Sequence, residues 1–304
     1  MEPSQGLWLN SQQQNPQEPV PQFEEHTSFH SNVGDISNPS DYKPFGVIDI
    51  ISQGHFLIGV LSHTQVLKYP SDPSSTEHQQ LMRDEDAILQ HIGSQPRIVE
   101  YQGLNEYGLM LRYYPYGSLR RLLKWCPNIK ISRKLEWCGQ LTTAVQTIHS
   151  KNVIHCDICL HNVLLDENIE AVLADFQGIL LSQNNQVLVD GRTRECPKSY
   201  MPREDVEYAS FKTDLFALGS AIYHIINGHE VFPELRNLHD HVEILRRFTN
   251  RIYPGSNYVA SHIVEKCWRG EYANAGEVVN DLAEVLHAAR QVKAQNSFFD
   301  SGGV

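Results

Sequence analysis

The sequence predicts an α+β protein of two lobes, a small β-rich N-terminal lobe with one helix and a larger helical C-terminal lobe. Three observations carry that prediction. Between residues 45 and 114, apolar residues fall in short runs separated by turn residues, with a single stretch of helical period. After Pro115-Tyr-Gly-Ser-Leu119 the dominant pattern becomes helical. Between the two, around residues 153–175, very short apolar runs frame isolated polar side chains.

Taken in order, residues 1–44 are rich in Gln, Ser, Pro, Asn and Glu, without a period, and are expected to form a disordered tail. The N-terminal lobe is expected over 45–114. Strands are predicted at 45–51, 56–61 and 65–69, the last two joined by a turn at Ser62-His-Thr64. A Pro/Ser/Asp loop then precedes a helix over 77–92. In it Leu81, Ile88, Leu89 and Ile92 recur at helical spacing, while Asp84, Glu85 and Asp86 supply a charged side. Strands at 98–102 and 109–114 complete this lobe. The C-terminal lobe is expected over 115–292, with helices at 119–125, 133–150, 213–227, 234–248, 258–268 and 275–292 and an irregular stretch from 178 to 204. A loose polar tail is expected over 293–304.

A chain of 304 residues is long enough to bury one large core or two lobes. A net charge of −11 argues against general nucleic-acid binding, which calls for a basic face, but leaves room for a nucleotide held by a few local cations. No apolar run reaches the length of a membrane span, and the N-terminus lacks a cationic start and apolar core, so an intracellular location, cytoplasmic or nuclear, is expected. The six cysteines fit reduced thiols. Cys156-x-x-Cys159 has no second CxxC or His-x-His partner nearby, which makes it a poor metal site.

The most informative stretch is Val153-Ile-His-Cys-Asp-Ile-Cys-Leu-His-Asn-Val-Leu-Leu165. Asp157 and Asn162 stand five residues apart between two apolar runs, a short strand entering a loop and a short strand leaving it. A buried frame of that kind holds a carboxylate and an amide in fixed positions. Eighteen residues beyond Asp157, a second carboxylate, Asp175, follows the apolar run Ala171-Val-Leu173 in Ala174-Asp175-Phe176-Gln177-Gly178. A base carboxylate, a metal-binding amide and a metal-binding carboxylate in this order make the set that phosphoryl transfer needs. Upstream, Val66-Leu67-Lys68 places a lysine within a strand, and Glu85 follows 17 residues later on the helix. Alone, Lys68 also reads, less often, as a solvated strand lysine, and a helix glutamate such as Glu85 is more often surface decoration; together their spacing is informative.

On these residues the chain resembles the eukaryotic protein-kinase family over about residues 45–290, and within it the divergent kinase-domain proteins of filamentous fungi. The resemblance implies ATP and Mg²⁺ as cofactors and a protein substrate. It casts Asp157 as the base at the substrate hydroxyl, Lys68 and Glu85 as the phosphate clamp, and Asn162 and Asp175 as metal ligands. Gly54, in Ile51-Ser-Gln-Gly-His-Phe-Leu-Ile-Gly59, would be the one glycine left of the phosphate loop, with Ser52 and Leu57 at the other glycine positions. Leu111 would be the gatekeeper, and Arg112 to Tyr114 would present backbone groups to an adenine, with Tyr113 either touching nucleotide or packing. Asp214 would hold the catalytic-loop backbone.

Four departures accompany the resemblance. Cys156 stands where the family has the arginine that pairs with an activation-loop phosphate. Cys159 replaces the lysine typical of Ser/Thr kinases, and Gln177 replaces the glycine after Asp-Phe. Arg203 stands for the glutamate that closes the activation segment, and Tyr272-Ala273 follows Cys267-Trp268 without that glutamate's arginine partner, so the ion pair is expected to be lost at both ends. The implied activity is transfer of the ATP γ-phosphate to a protein hydroxyl, Ser/Thr in type, without activation-loop arginine regulation. Two alternatives stand beside it. One is a pseudokinase scaffold binding nucleotide weakly or not at all. The other is a small-molecule kinase of the aminoglycoside or choline type, which shares His-x-Asp-x4-Asn but usually follows it with a different metal motif.

Overall fold

The computed structural model describes residues 42–300, with side chains through residue 291. Strands β1 (Asp49–Ser52), β2 (Phe56–Val60), β3 (Gln65–Pro70), β4 (Tyr101–Leu104) and β5 (Leu109–Arg112) form one antiparallel sheet in the order β1-β2-β3-β5-β4. The register of β3 against β5 pairs Val66 with Leu111 and Lys68 with Leu109. Strand alternation then decides which face each residue serves. Leu57, Leu67 and Tyr69 form a small cluster on one face, while Ile58 and Val66, on the other, join the main core that continues into the C-terminal lobe. Lys68 shares the parity of Val66 and so points into the space between the lobes.

Helix α1 (Thr76–Ile92) follows β3. The Ser75 hydroxyl caps it, accepting the His78 N–H at 3.2 Å, and Gly93 ends it at φ 66°. Its buried face is Met82, Glu85, Ile88, Leu89 and Ile92. A carboxylate on an apolar stripe demands a partner, and the partner is Lys68.

The C-terminal lobe contains α2 (Leu119–Trp125), α3 (Ile131–Ser150), α4 (Phe211–Asn227), α5 (His241–Thr249), α6 (Ser261–Trp268) and α7 (Ala275–Asp300). Helix α4 is buried on all sides, with its burial running almost unbroken from Thr213 to Ile226. Gly219 lets α6 approach closely, since a Cβ there would lie 2.6 Å from Cys267 Cβ. Between the helices lie β6 (Val153–Ile154), β7 (Val163–Leu165) and β8 (Ala171–Leu173). The β7–β8 hairpin reaches toward the N-terminal lobe through a bridge from Leu173 to Ile98. Among the described residues, no helix is long and apolar enough to cross a membrane.

The structure differs from expectation at several edges. The stretch 178–204 is not irregular throughout. It contains β9 (Ile179–Leu181) and β10 (Val187–Asp190), which pair with each other, and β9 also pairs with β6. The first strand starts at Asp49, because Pro44 to Val47 form a turn closed by the Val47 N–H on Pro44 O at 3.1 Å. Helix α5 begins at His241 instead of 234. The intervening segment is taken by turns, with Leu235 N–H on Phe232 O at 2.9 Å and Arg236 N–H on Asp240 Oδ2 at 2.7 Å. Helix α6 starts after Ala260, whose φ of 64° breaks the helical path from 258. Helix α7 runs to Asp300, so the expected loose tail is helical over most of its length. Residues 1–41 and 301–304, and with them most of the expected N-terminal tail, lie outside the described residues.

Candidate active site

The inter-lobe face gathers the predicted polar residues. Lys68 Nζ donates to Glu85 Oε2 at 2.6 Å and also to Asp175 Oδ1, joining β3, α1 and the segment after β8. Lys68 and Glu85 are 3% and 1% exposed, so the pair is sealed from water. Burial works against the Lys68 charge, but Asp175 and Glu85 outweigh it and raise its pKa. Burial pulls the Glu85 carboxyl upward against the attraction of Lys68. Glu85 Oε1 also accepts the Phe176 N–H at 3.2 Å, which fixes where the backbone turns after Asp175. Asp175 itself has φ 68°, a left-handed conformation that costs a non-glycine residue about 1 kcal/mol and is held here by these bonds.

The loop after β6 is pinned from below. Fully buried Asp214, in the first turn of α4, accepts His155 N–H at 2.8 Å on Oδ2 and Cys156 N–H at 2.9 Å on Oδ1, and His149 Nε2 lies 2.9 Å from Oδ2. Cys156 sits at φ 65°, so these two bonds hold a turn the chain would not adopt freely. His155 Nδ1 accepts the Asp157 N–H at 3.3 Å, which leaves Nε2 to carry the proton and donate to Ala174 O at 3.0 Å. Burial lowers the His155 pKa, in keeping with a neutral ring. Its ring meets Phe176 edge-on, centroids 5.1 Å apart.

Asp157 is oriented from its own loop. Asn162 Nδ2 donates to Asp157 O at 3.0 Å and to Asp157 Oδ2 at 2.8 Å. Asn162 is fully buried, its backbone carbonyl takes the Ala174 N–H at 2.8 Å, and its Oδ1 has no hydrogen-bond partner. A buried acceptor left open in this way costs free energy unless something fills it. Asn162 Oδ1 and the Asp175 carboxylate are hard oxygen donors tied to one hairpin, the donor type that Mg²⁺ takes. The residues present therefore fit the metal.

The residues expected beside a nucleotide are arranged less tightly. Gly54 lies in the bend between β1 and β2 and is half-buried. Phe56, next on β2, covers Lys68, with Nζ 5.3 Å from the ring centroid. Leu111 is buried on β5. Tyr113 packs partly against the core, and its N–H is spent on Thr64 O at 2.9 Å, as that of Arg112 is on Glu100 O at 3.0 Å. Phe56, Asp157, Asp175, Cys159 and Lys198 share a cleft of about 820 Å³.

Comparison with known sequences decides the family. Residues 58–278 match the protein tyrosine and serine/threonine kinase family. The chain belongs to the protein kinase family. It is 30% identical over 208 residues to Aurora kinase A-B of Xenopus laevis, covering 66% of this chain and 48% of that protein. It is 30% identical over 154 residues to the serine/threonine-protein kinase RUNKEL of Arabidopsis thaliana, 49% of this chain and 11% of that protein. To the probable serine/threonine-protein kinase samkA of Dictyostelium discoideum it is 27% identical over 191 residues, 54% and 29% of the two chains. The chain thus spans less than half the length of these relatives.

Within this kinase domain the segment after β9 contains ion pairs that the sequence did not reveal. Arg203 is not left over from a lost pair. Its guanidinium meets Glu195 at 2.8 Å, their side chains 6% and 0% exposed, and stacks over Tyr200 at 4.0 Å. Arg194 bonds Asp190 at 3.0 Å and lies 3.3 Å from Glu207, and Arg192 reaches Glu77 on α1 at 3.1 Å. No fixed spacing links these partners, so no motif could have announced them. Cys156 and Cys159 contribute no charge, because burial pushes both thiols well up.

Proposed function

We propose that this kinase domain transfers the γ-phosphate of ATP to a Ser or Thr hydroxyl of a protein, with Asp157 as base. The observation that carries the proposal is the pairing of two bonded groups on the inter-lobe face, Lys68 bridging Glu85 and Asp175, and Asn162 aiming the Asp157 carboxylate. Phosphoryl transfer asks the protein mainly for positioning and for charge where the transition state spreads it. Lys68 supplies a preorganised cation, Glu85 holds it in place, and Asp157 orients the acceptor hydroxyl and takes its proton. Mg²⁺, held by Asn162 and Asp175, would neutralise phosphate charge when bound. Gly54, Leu111 and Tyr113 would line the nucleotide. The Ser/Thr type rests on the names of the relatives.

The segment from 190 to 207 supports activity without loop phosphorylation. Its buried Arg203–Glu195 pair and the Arg194 links to Asp190 and Glu207 do the ordering that a phosphate–arginine pair would otherwise do. A scaffold without catalysis is the second reading, favoured by the lone Gly54 and by the neutral Cys159. Incubation with labelled ATP, Mg²⁺ and a Ser/Thr peptide set tests the choice. Label incorporation by wild type and none by Asp157→Asn is expected; none by either protein overturns the proposal.

A further inference from the structure

Gln177 stands where the family pattern has glycine, and its side chain touches two parts of the molecule that glycine would leave apart. Its Nε2 donates to Glu85 Oε2 at 3.4 Å, and its Oε1 accepts the Thr193 hydroxyl at 3.4 Å. The neighbours fix which way that amide points. A carboxylate only accepts, so the NH2 faces Glu85 and the carbonyl oxygen is left for the Thr193 O–H. The main chain is stitched at the same place. Thr193 N–H donates to Gln177 O at 3.3 Å, and Gly191 N–H donates to Gly178 O at 2.8 Å. Glycine at 191 permits this approach, since a Cβ there would lie 2.3 Å from Gln177 O. Gln177 and Thr193 both line the cleft that contains Asp157 and Asp175.

Glu85 decides where Lys68 stands, and three donors decide where Glu85 stands. Oε2 takes Lys68 at 2.6 Å and the Gln177 amide, while Oε1 takes the Phe176 N–H at 3.2 Å. A second tie runs in parallel, from Arg192 to Glu77 in the first turn of α1, at 3.1 Å. That ion pair is exposed and contributes little by itself, whereas the Gln177 link is partly buried and ends on the clamp. Resting on the phosphotransfer reading of this cleft, we infer that Gln177 is a positioning residue. Its amide couples segment 190–193 to Glu85, and through Glu85 it sets the Lys68 ammonium for transfer. Both side-chain bonds are long, so their loss should cost a modest factor, about 3- to 10-fold in rate.

Gln177→Met keeps the length of the side chain and loses both bonds; Thr193→Val keeps the shape of Thr193 and loses one. Wild type, the two single variants and the double variant are compared by amide hydrogen exchange and by single-turnover transfer at saturating Mg-ATP, with Mg-ATP affinity measured alongside. Thr193→Val should speed exchange in the α1 peptide around Glu85 as well as in its own segment. Gln177→Met should speed both, and the double variant should match Gln177→Met, because the two substitutions break one path. Each should slow transfer about 3- to 10-fold, with the loss falling on the saturated rate more than on affinity. Urea midpoints should stay near wild type, and if Gln177→Met fails to fold, Thr193→Val decides. Faster exchange in Thr193→Val confined to its own segment, single-variant effects that add, or transfer by Gln177→Met or Thr193→Val at the wild-type rate overturns the inference. Coupled exchange without transfer by wild type would instead count against the phosphotransfer reading and leave the coupling standing.

Discussion

Asn162 gives its amide protons to Asp157, at 2.8 Å on the carboxylate and 3.0 Å on the carbonyl, and keeps its own buried Oδ1 open. One side chain thus sets the direction of the Asp157 carboxylate and offers an acceptor to a cation, so loss of the amide should separate two effects. Asn162→Ala should weaken Mg-ATP binding about 10- to 100-fold while leaving metal-free ATP little changed. Calorimetric titration with and without Mg²⁺ measures both, and equal weakening in the two titrations would show that Asn162 Oδ1 holds no metal.

Removing Lys68 strands two carboxylates. Lys68→Met should cost about 3–5 kcal/mol, because Glu85 and Asp175 lose the cation that offsets their burial. A buried unpaired carboxyl has a folded pKa above its unfolded value and binds more protons when folded, so stability falls as pH rises. The variant should therefore be closer to wild type near pH 5 than near pH 8 in urea melts. A deficit that does not change with pH would contradict the pairing.

The β3 lysine and the loop around Asp157 were legible in the sequence because strand parity and apolar framing constrain where a side chain can point. Helical spacing instead puts Glu85 on the charged side of α1, and only its distance of 17 residues from Lys68 singles it out. Asp214 was legible only through the resemblance to the kinase family, as a polar residue in the first turn of α4. The β9–β10 hairpin was missed because its strands are only three and four residues long and one of them carries exposed Val187 and Leu188, so neither burial nor period stands out. The Arg203–Glu195 pair was missed for a different reason. Both residues lie outside regular elements, and only the folded path of the segment brings them to 2.8 Å.

That pair carries its own prediction. Arg203→Ala leaves Glu195, which burial already pulls upward in pKa, without its cation, and should lower stability by about 3–5 kcal/mol. Arg203→Met combined with Glu195→Gln should recover much of that loss. If thermal melting shows the single variant equal to wild type, the pair does not order the segment. Phosphatase treatment of wild type should leave its transfer rate unchanged.

His224 should set part of the acid limb of stability. Its folded pKa is pushed down to about 4 from 6.5, so between those values the unfolded chain binds a proton that the folded one does not. Stability present above pH 6.5 should be lost as pH falls toward 4, by at most about 3 kcal/mol, less what solvent screening removes at this half-buried ring. Urea midpoints for wild type and His224→Gln across that range provide the check: the variant should lose this slope, and parallel curves would contradict it.

The most direct test of the central claim is single-turnover transfer from Mg-ATP by wild type, Lys68→Met and Asp157→Asn, with Mg-ATP affinity measured on the same samples. Wild type should transfer phosphate, Asp157→Asn should bind Mg-ATP like wild type yet transfer at least about 100-fold more slowly, and Lys68→Met should be impaired as well. Equal transfer by wild type and Asp157→Asn, or none by wild type with Mg-ATP bound, would contradict the assignment of Asp157 and its buried network to catalysis.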